Sequence, residues 1–255
     1  MLKHFLNPPN WFTATSIFCS IYAITLVIGA NGDAPTTLAR ACVFVVFAGI
    51  FDLLDGRVAS LTNTQTEFGV QLDSLADIIS FGVAPAIITW VWKLQYLGMT
   101  GAVICFWWIL AATFRLARFN VKATSESSDW AHPGHSQGLT ITMAGGMLVT
   151  LAWVANGYLA SSLQTIPAWV VALVASVIAL LMVSNIPFRN FRDIRRNANA
   201  RRILAVSFSL YIGSGFFFHA ASMMFCVGSV LYATWGLSDG LLVAFAQRRK
   251  MKRIV

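Results

Sequence analysis

Long apolar runs, separated by short polar or turn-forming stretches, occupy most of the chain. Each run is about 17 to 25 residues long, which is the length that an α-helix needs to cross a bilayer. The pattern predicts an all-α polytopic membrane protein with about eight transmembrane helices, at approximately 11–30, 37–61, 67–91, 97–116, 139–160, 166–182, 203–219 and 222–245. Pro85 is predicted to kink the third of these helices, because proline removes a backbone donor and clashes with the preceding turn.

The composition agrees with a membrane location. Of the 255 residues, 57% are hydrophobic and only 11% are charged, which is too apolar for a soluble domain of this size. We expect one membrane-embedded domain over 1–255, with its core at about 8–185, a C-terminal helical pair at about 203–245 and a basic tail at 246–255.

The positive charges indicate how the helices are oriented. With eight spans, sixteen of the eighteen Lys and Arg residues fall on one side of the membrane, and only Arg40 and Lys93 fall on the other. Because cytoplasmic loops carry an excess of Lys and Arg, we expect both termini and the polar turn at 62–66 to face the cytoplasm from the inner (cytoplasmic) membrane. The net charge of +8 therefore indicates topology and attraction to anionic lipid, not nucleic acid.

Four aspartates interrupt the second and third apolar runs. Asp52 and Asp55 are three residues apart, and Asp73 and Asp77 are four apart, so each pair lies on one face of its own helix. The polar run at 62–66 indicates a tight turn, and at about 1.5 Å per residue the inner member of each pair lies one helical turn deeper than the outer one. The four carboxylates are therefore expected to face one another across an antiparallel helix pair.

The turn and its neighbours suit a site for a ligand. We expect Thr64 and Glu67 to form a capping box that starts the second helix of the pair. Gly56 and Gly69 lie beside the aspartates, where the absence of a side chain lets a ligand or a backbone approach closely.

Ionised carboxylates inside a membrane need compensating positive charge. Each one near mid-bilayer costs roughly 2.5 to 3.5 kcal/mol, so four without partners cost on the order of 10 kcal/mol. Mg2+ and Mn2+ prefer carboxylate oxygen and commonly bridge phosphates, so the aspartates predict a site for such cations. The alternative is a buried polar network between helices, which is disfavoured because acceptor-only groups cannot bond to one another without protons or cations.

A longer pattern surrounds the aspartates. Asp52-x-x-Asp55-Gly56-x-x-Ala59-Ser60-x8-Gly69-x3-Asp73-x3-Asp77 resembles the signature of the CDP-alcohol phosphotransferases, integral membrane enzymes that make phospholipids. The resemblance implies that the four aspartates bind a two-metal centre of Mg2+ or Mn2+, and that Asp77 is also the base that activates the attacking alcohol. It implies nucleotide or phosphate binding for Asp55, Gly56, Ala59, Ser60 and Gly69. Ser60 stands where the family has Arg, and Arg57 is a candidate substitute.

A second stretch extends the resemblance at the start of the first helix. Pro9-Asn10-Trp11-Phe12-Thr13 matches a P-N-x-x-T pattern that is frequent in the family. The match implies that Asn10 and Thr13 help to hold the cytidine nucleotide. The alternative for Asn10 is an ordinary helix N-cap.

A third stretch lies at the end of the fourth predicted helix. Arg115-Leu116-Ala117-Arg118-Phe119-Asn120 resembles the corresponding run of bacterial phosphatidylserine synthases, a branch of the same family. Arg115 and Arg118 share one helical face, so they are candidates to hold phosphate or an acceptor carboxylate through charge-assisted hydrogen bonds. The alternative is that they only anchor the helix on the positive side of the membrane.

The resemblance implies an activity and an assembly. The expected reaction transfers a phosphatidyl group from CDP-diacylglycerol to a small alcohol and releases CMP, with L-serine favoured because the run at 115–120 resembles that of phosphatidylserine synthases. Serine as acceptor predicts a cationic contact for its carboxylate, which Arg115 or Arg118 would supply. A homodimer is expected from the same resemblance. Other acceptors stay open, namely glycerol phosphate, an inositol phosphate, ethanolamine or choline. A non-catalytic relative or a transporter also stays open, since Ser60 replaces the family's arginine.

Three further features carry no assigned chemistry. Asp239, within the eighth predicted helix, is expected to bond to a neighbouring helix. His132 and His135 flank Pro133-Gly134 in a loop and are expected to lie at the surface, because a pair without further ligands rarely binds metal. The basic stretch at 189–202 is interpreted as an amphipathic segment at the membrane surface, with contact to an anionic substrate as the alternative.

Overall fold

The computed structural model describes residues 7–29, 35–62, 64–124, 135–156 and 166–189, with scattered positions between 226 and 238. Within these ranges it contains seven α-helices and one two-stranded antiparallel sheet. The helices are α1 (Pro8–Gly29), α2 (Pro35–Thr62), α3 (Glu67–Asp77), α4 (Ala84–Trp92), α5 (Met99–Thr124), α6 (Ile141–Asn156) and α7 (Ala168–Val183), and the strands are β1 (His135–Gln137) and β2 (Pro187–Arg189). A π-helical segment (Ile78–Val83) joins α3 to α4, and a 3-10 turn (Leu94–Leu97) precedes α5.

Four helical segments are long and apolar enough to cross a membrane. They are Pro8–Gly29, Thr36–Thr62, Glu67–Trp92 and Met99–Val121, and two shorter apolar helices follow at Ile141–Asn156 and Ala168–Val183. These six correspond to the first six predicted segments, so a mostly helical fold with membrane-type helices is confirmed for the described residues. The largest difference in a helix boundary is at the end of α5, which continues to Thr124 instead of ending at 116.

The total of eight helices is not confirmed and stays a prediction. The seventh predicted segment, 203–219, lies outside the described residues, and in the eighth, 222–245, only scattered helical positions are described. Asp239, His132 and the basic tail also lie outside the described residues. Of the basic stretch at 189–202, only the backbone of its first residue is described. For His135 the backbone is described but the side chain is not.

The helices bury two groups of apolar side chains. One group lies between α1, α2, α4 and α6 and includes Val27, Cys42 and Ile88. The other lies among α5, α6 and α7 and includes Trp108 and Met182. Large apolar residues such as Phe18, Phe106 and Leu173 stay exposed on the outer faces, as expected for helices that face lipid.

The third span is not a uniform α-helix. In the π-helical segment the N–H of Ala84 donates to the carbonyl oxygen of Ile79, five residues back. The Trp108 indole Nε1 of α5 donates to the carbonyl oxygen of Gly82 at 3.1 Å, so a neighbouring helix satisfies a carbonyl in this turn. A Cβ added at Gly145 of α6 would lie 2.8 Å from the carbonyl oxygen of Phe81, so this glycine permits close packing. The irregularity that Pro85 predicted is thus a π turn just before the proline.

A short two-stranded sheet between distant parts of the chain was not predicted. β1 pairs with β2, and Gly138 follows β1 with φ of 71°, a left-handed conformation that favours glycine. The Gly138 N–H donates to the Ile186 carbonyl oxygen at 2.9 Å, and the Leu139 N–H donates to that of Leu181 at 3.0 Å. These bonds hold the chain entering α6 against the end of α7.

The start of α1, the α2–α3 turn, the end of α5 and the sheet meet at one end of the bundle. The Asn7 side-chain amide donates to the Thr64 carbonyl oxygen at 3.0 Å, which ties α1 to the turn. Ser74 of α3 and Asn120 of α5 exchange hydrogen bonds of 3.2 and 3.1 Å. We call this region the aspartate end; Arg40, near the start of α2, and Lys93, after α4, lie toward the opposite end.

Candidate active site

The α2–α3 turn is shaped by a different cap from the predicted one. Thr66, with φ of −129° and ψ of 151°, is the N-cap of α3, and its hydroxyl accepts a hydrogen bond from the Gly69 N–H at 3.0 Å. The Thr64 and Thr62 hydroxyls instead bond to each other at 2.6 Å. The predicted capping box of Thr64 and Glu67 is therefore wrong, because α3 begins at Glu67 and its third residue is glycine.

Three aspartates converge across the α2–α3 pair. Asp52, Asp55 and Asp73 each offer one carboxylate oxygen within 4.8 Å of the others. Asp55 is buried, whereas Asp52 and Asp73 are partly exposed. The spacing of the aspartates therefore predicted their meeting correctly.

Asp77 lies against the same group. Its carboxyl group lies close to that of Asp52, and its Oδ1 atom is buried without a hydrogen-bond partner among the described residues. Two ionised carboxylates have no proton to share, so they approach this closely only with a proton or a cation between them. An all-oxygen donor set with one buried, unsatisfied oxygen fits a hard divalent cation.

One polar face of α1 lines the α2–α3 pair. The Thr13 hydroxyl donates to Oδ2 of Asp55 at 2.6 Å, and both side chains are buried. Asn10 is buried in the first turn of α1, and a Cβ added at Gly69 would lie 3.4 Å from its Oδ1. Since α1 begins at Pro8, Asn10 is its third residue, and the alternative of an N-cap role is wrong.

Two further residues of this face were missed in the sequence. Ser16 and Ser20 continue the spacing of Asn10 and Thr13 along α1, and both are buried. The Ser16 hydroxyl donates to the Ala48 carbonyl oxygen of α2, and the Ser20 hydroxyl contacts the Ser16 carbonyl oxygen of its own helix. Both hydroxyls lie within hydrogen-bond distance of that of Ser80 in the π-helical segment. Polar residues repeating every three or four positions in an otherwise apolar helix are the signal that would have identified them.

The remaining residues of the α2 motif surround an open surface. Gly56 is exposed, and among the described atoms none lies within 4 Å of where its Cβ would stand. Arg57 and Ser60, one turn apart, are also exposed, and Ala59 is partly buried. Gly69 differs, because a Cβ there would meet Thr66 Oγ1 at 3.2 Å as well as Asn10.

Arg118 lies against the end of α7 and the sheet. Its Nη1 donates to the Val183 carbonyl oxygen at 3.0 Å and to the Asn185 side chain at 3.2 Å, and its Nη2 contacts three further backbone carbonyl oxygens at 3.2 Å. Those carbonyls belong to Gln137, Met182 and Ser184. The guanidinium therefore caps the end of α7 and joins it to the sheet. Its predicted contact with phosphate or an acceptor carboxylate stays a prediction.

Arg115 stays near the carboxylates. Its guanidinium lies 5.9 Å from the centre of the Phe119 ring, one turn along α5. It is also close enough for its charge to interact with Asp77. The two arginines of one helical face thus have distinct surroundings, with Arg115 beside the aspartates and Arg118 on the sheet.

The sequence matches a known protein family. Residues 6–177 match the sequence profile described as CDP-alcohol phosphatidyltransferase. A Helicobacter pylori (strain J99) protein named CDP-diacylglycerol–serine O-phosphatidyltransferase is 34% identical over 209 residues, which cover 80% of this chain and 83% of that protein. Proteins with the same name from Methanocaldococcus jannaschii and Bacillus subtilis are 34% and 27% identical, covering 74% and 72% of this chain and 78% and 90% of theirs.

Proposed function

Because the chain belongs to the CDP-alcohol phosphatidyltransferase family, we propose that it is an enzyme that transfers a phosphatidyl group from CDP-diacylglycerol to L-serine and releases CMP. The meeting of Asp52, Asp55 and Asp73 across α2 and α3 is the observation that carries the proposal. The names of the similar proteins support serine as the acceptor.

The reaction forms one bond and breaks one. The serine hydroxyl oxygen bonds to the phosphorus that carries diacylglycerol, and the bond from that phosphorus to the bridging pyrophosphate oxygen breaks, so that CMP leaves. The hydroxyl proton must go to a base. Asp77 is the proposed base, since its buried Oδ1 has no hydrogen-bond partner among the described residues and lies beside the other carboxylates.

The aspartates supply the electrostatic environment for a substrate with two phosphates. We assign metal binding to Asp52, Asp55, Asp73 and Asp77, with Mg2+ or Mn2+ as the ions. Bound there, such ions would neutralise the pyrophosphate and the charge that develops on departing CMP. Thr13 holds the Asp55 carboxylate through its 2.6 Å hydrogen bond, so we assign it to orienting that ligand.

The substrate contacts are proposed from the exposed and half-buried motif residues. Gly56, Ala59 and Ser60 lie on the accessible end of α2, and Asn10 and Gly69 meet where α1 approaches α3. We assign these residues to the nucleotide and its phosphates. Arg57 and Arg115 are the proposed cationic contacts for phosphate or for the serine carboxylate, because Arg118 already bonds to the end of α7.

The membrane arrangement completes the proposal. We propose eight spans, with the aspartate end and both termini facing the cytoplasm, because the bias of Lys and Arg supports that orientation. In this arrangement diacylglycerol stays among the lipid tails while the pyrophosphate lies at headgroup depth. A homodimer is proposed from the family alone.

A reconstituted assay tests this function. The purified chain in liposomes would be given CDP-diacylglycerol, Mn2+ or Mg2+, and serine, glycerol phosphate, inositol phosphate, ethanolamine or choline in turn, with CMP release as the readout. We expect CMP with serine, and none from an Asp73→Asn variant. Release of CMP with another alcohol but not with serine would identify that alcohol as the acceptor. No release of CMP under any condition would favour a non-catalytic relative.

A further inference from the structure

Three buried serines meet below the aspartates. Ser16 and Ser20 belong to α1 and Ser80 to the π-helical segment, and none of them is more than 2% exposed. The Ser20 hydroxyl lies 2.8 Å from that of Ser80, and the Ser16 hydroxyl lies 3.3 Å from it. We call these residues the serine cluster.

The serine cluster also reaches α2 and is saturated with hydrogen bonds. The Ser16 hydroxyl donates to the Ala48 carbonyl oxygen at 3.0 Å, and the Ser20 hydroxyl contacts the Ser16 carbonyl oxygen at 3.0 Å. Each hydroxyl has one proton, and the contacts provide an acceptor for every one of them. The cluster therefore links α1, α2 and the π-helical segment through directional bonds, and it leaves no unsatisfied polar atom that requires a ligand.

The position of Ser80 connects the cluster to the carboxylates. Ser80 follows Asp77 by three residues and so lies in the next turn of the same span, deeper along its axis. Asp77 is the last residue of α3, immediately before the backbone changes to π-helical hydrogen bonding. The rotation of this turn therefore determines the direction in which the Asp77 side chain points.

A π turn needs outside contacts to hold one conformation, because its hydrogen bonding differs from that of the α-helices on both sides. Trp108 bonds to the far end of the segment, at Gly82, and Gly145 packs on Phe81. Ser80 connects the turn that follows Asp77 to α1 through side-chain hydrogen bonds. Apolar side chains would fill the same space without fixing a rotation.

We propose that Ser80, held by Ser16 and Ser20, is a positioning residue that sets the orientation of Asp77 toward the other three carboxylates. The inference rests on the proposed function for its effect on turnover, but its effect on metal binding does not depend on which reaction the chain performs. A purely structural role predicts lower thermal stability alone. A positioning role predicts weaker binding of Mn2+ at the aspartates as well.

The test measures free Mn2+ by electron paramagnetic resonance as the metal is titrated into purified full-length protein in detergent. We expect Ser80→Ala to weaken Mn2+ binding about tenfold, the lower end of what loss of an outer partner of a metal ligand costs. In the CMP assay we expect a similar fall in kcat with little change in KM for CDP-diacylglycerol. Ser20→Ala should act in the same direction, and the double variant should lose little more than Ser80→Ala, because the residues act as one unit.

The matched control is Ser176→Ala in α7. Its hydroxyl also bonds within a helix, to the Ala172 carbonyl oxygen at 2.8 Å, but it lies away from the third span. We expect it to bind Mn2+ like the unmodified protein. If Ser80→Ala does not fold, Ser20→Ala decides the question by the same titration. Unchanged Mn2+ affinity in a folded cluster variant would overturn the inference, whereas Mn2+ binding without CMP release in the unmodified protein would overturn only the proposed function.

Discussion

The Thr13→Val substitution isolates the hydrogen bond between α1 and the aspartates. Valine keeps the branched shape of threonine and removes the hydroxyl that donates to Asp55 Oδ2 at 2.6 Å. Hydrogen bonds to charged groups contribute about 1.5 to 3 kcal/mol, which corresponds to a factor of about 10 to 150. Because Thr13 is buried, water cannot easily replace the lost donor, so we expect an effect within this range.

The assay is CMP release over a series of Mn2+ concentrations at saturating CDP-diacylglycerol and serine, repeated over a series of CDP-diacylglycerol concentrations to obtain its KM. We expect kcat to fall by about 10- to 150-fold, with half-saturation shifted to higher Mn2+, and Thr13→Ser to recover most of the activity. The control is Thr15→Val, since the Thr15 hydroxyl is exposed and bonds only to the Trp11 carbonyl oxygen of its own helix at 2.8 Å among the described contacts. A rise in KM for CDP-diacylglycerol with unchanged Mn2+ dependence would refute the reasoning and return Thr13 to direct nucleotide contact.

Three other substitutions test separate parts of the structure. Arg118→Lys should lower the melting temperature, because lysine cannot reach all five acceptors at the end of α7 and the sheet. KM for serine should stay unchanged. A higher KM for serine at an unchanged melting temperature would instead support a contact between Arg118 and the acceptor. Gly145→Ala should destabilise the protein by about 1 to 3 kcal/mol in thermal unfolding, because the new methyl group meets Phe81. The control Gly146→Ala should not destabilise it, because that position has open space around it. Equal stability of the two variants would contradict the close packing of Gly145 on Phe81. Asn120→Ala should weaken the tie of α5 to Ser74 and lower thermal stability by about 1 kcal/mol, and an unchanged unfolding curve would show that the tie contributes nothing.

The meeting of the aspartates could be predicted because helical spacing is a local property. Three- and four-residue intervals place each pair on one face, and a short polar turn forces the two helices into antiparallel contact. The spans could be predicted for a similar reason, since their length and hydropathy are set by the bilayer. Both inferences need only the order of residues near one another in the chain.

The parts that could not be predicted depend on contacts between distant segments. The charge of Arg118 and its position beside Arg115 are visible in the sequence, whereas its hydrogen bonds to the carbonyl oxygens at the end of α7 are not. The π turn depends on packing by Trp108 and Gly145, which are far away in the chain. The cap of α3 was placed two residues early, because Thr64 and Thr66 both suit an N-cap and only the backbone conformation selects Thr66.

The central claim is that carboxylates of α2 and α3 hold divalent cations together. It is tested most directly by a crystal or cryo-EM structure of the protein with Mn2+ and a cytidine nucleotide, in which anomalous scattering or strong density identifies the metal. We predict manganese in direct contact with oxygens of Asp52, Asp55 and Asp73, with Asp77 facing the same ions, and loss of this density in Asp73→Asn. Nucleotide bound with no metal among these carboxylates, or carboxylates that point apart, would contradict the account.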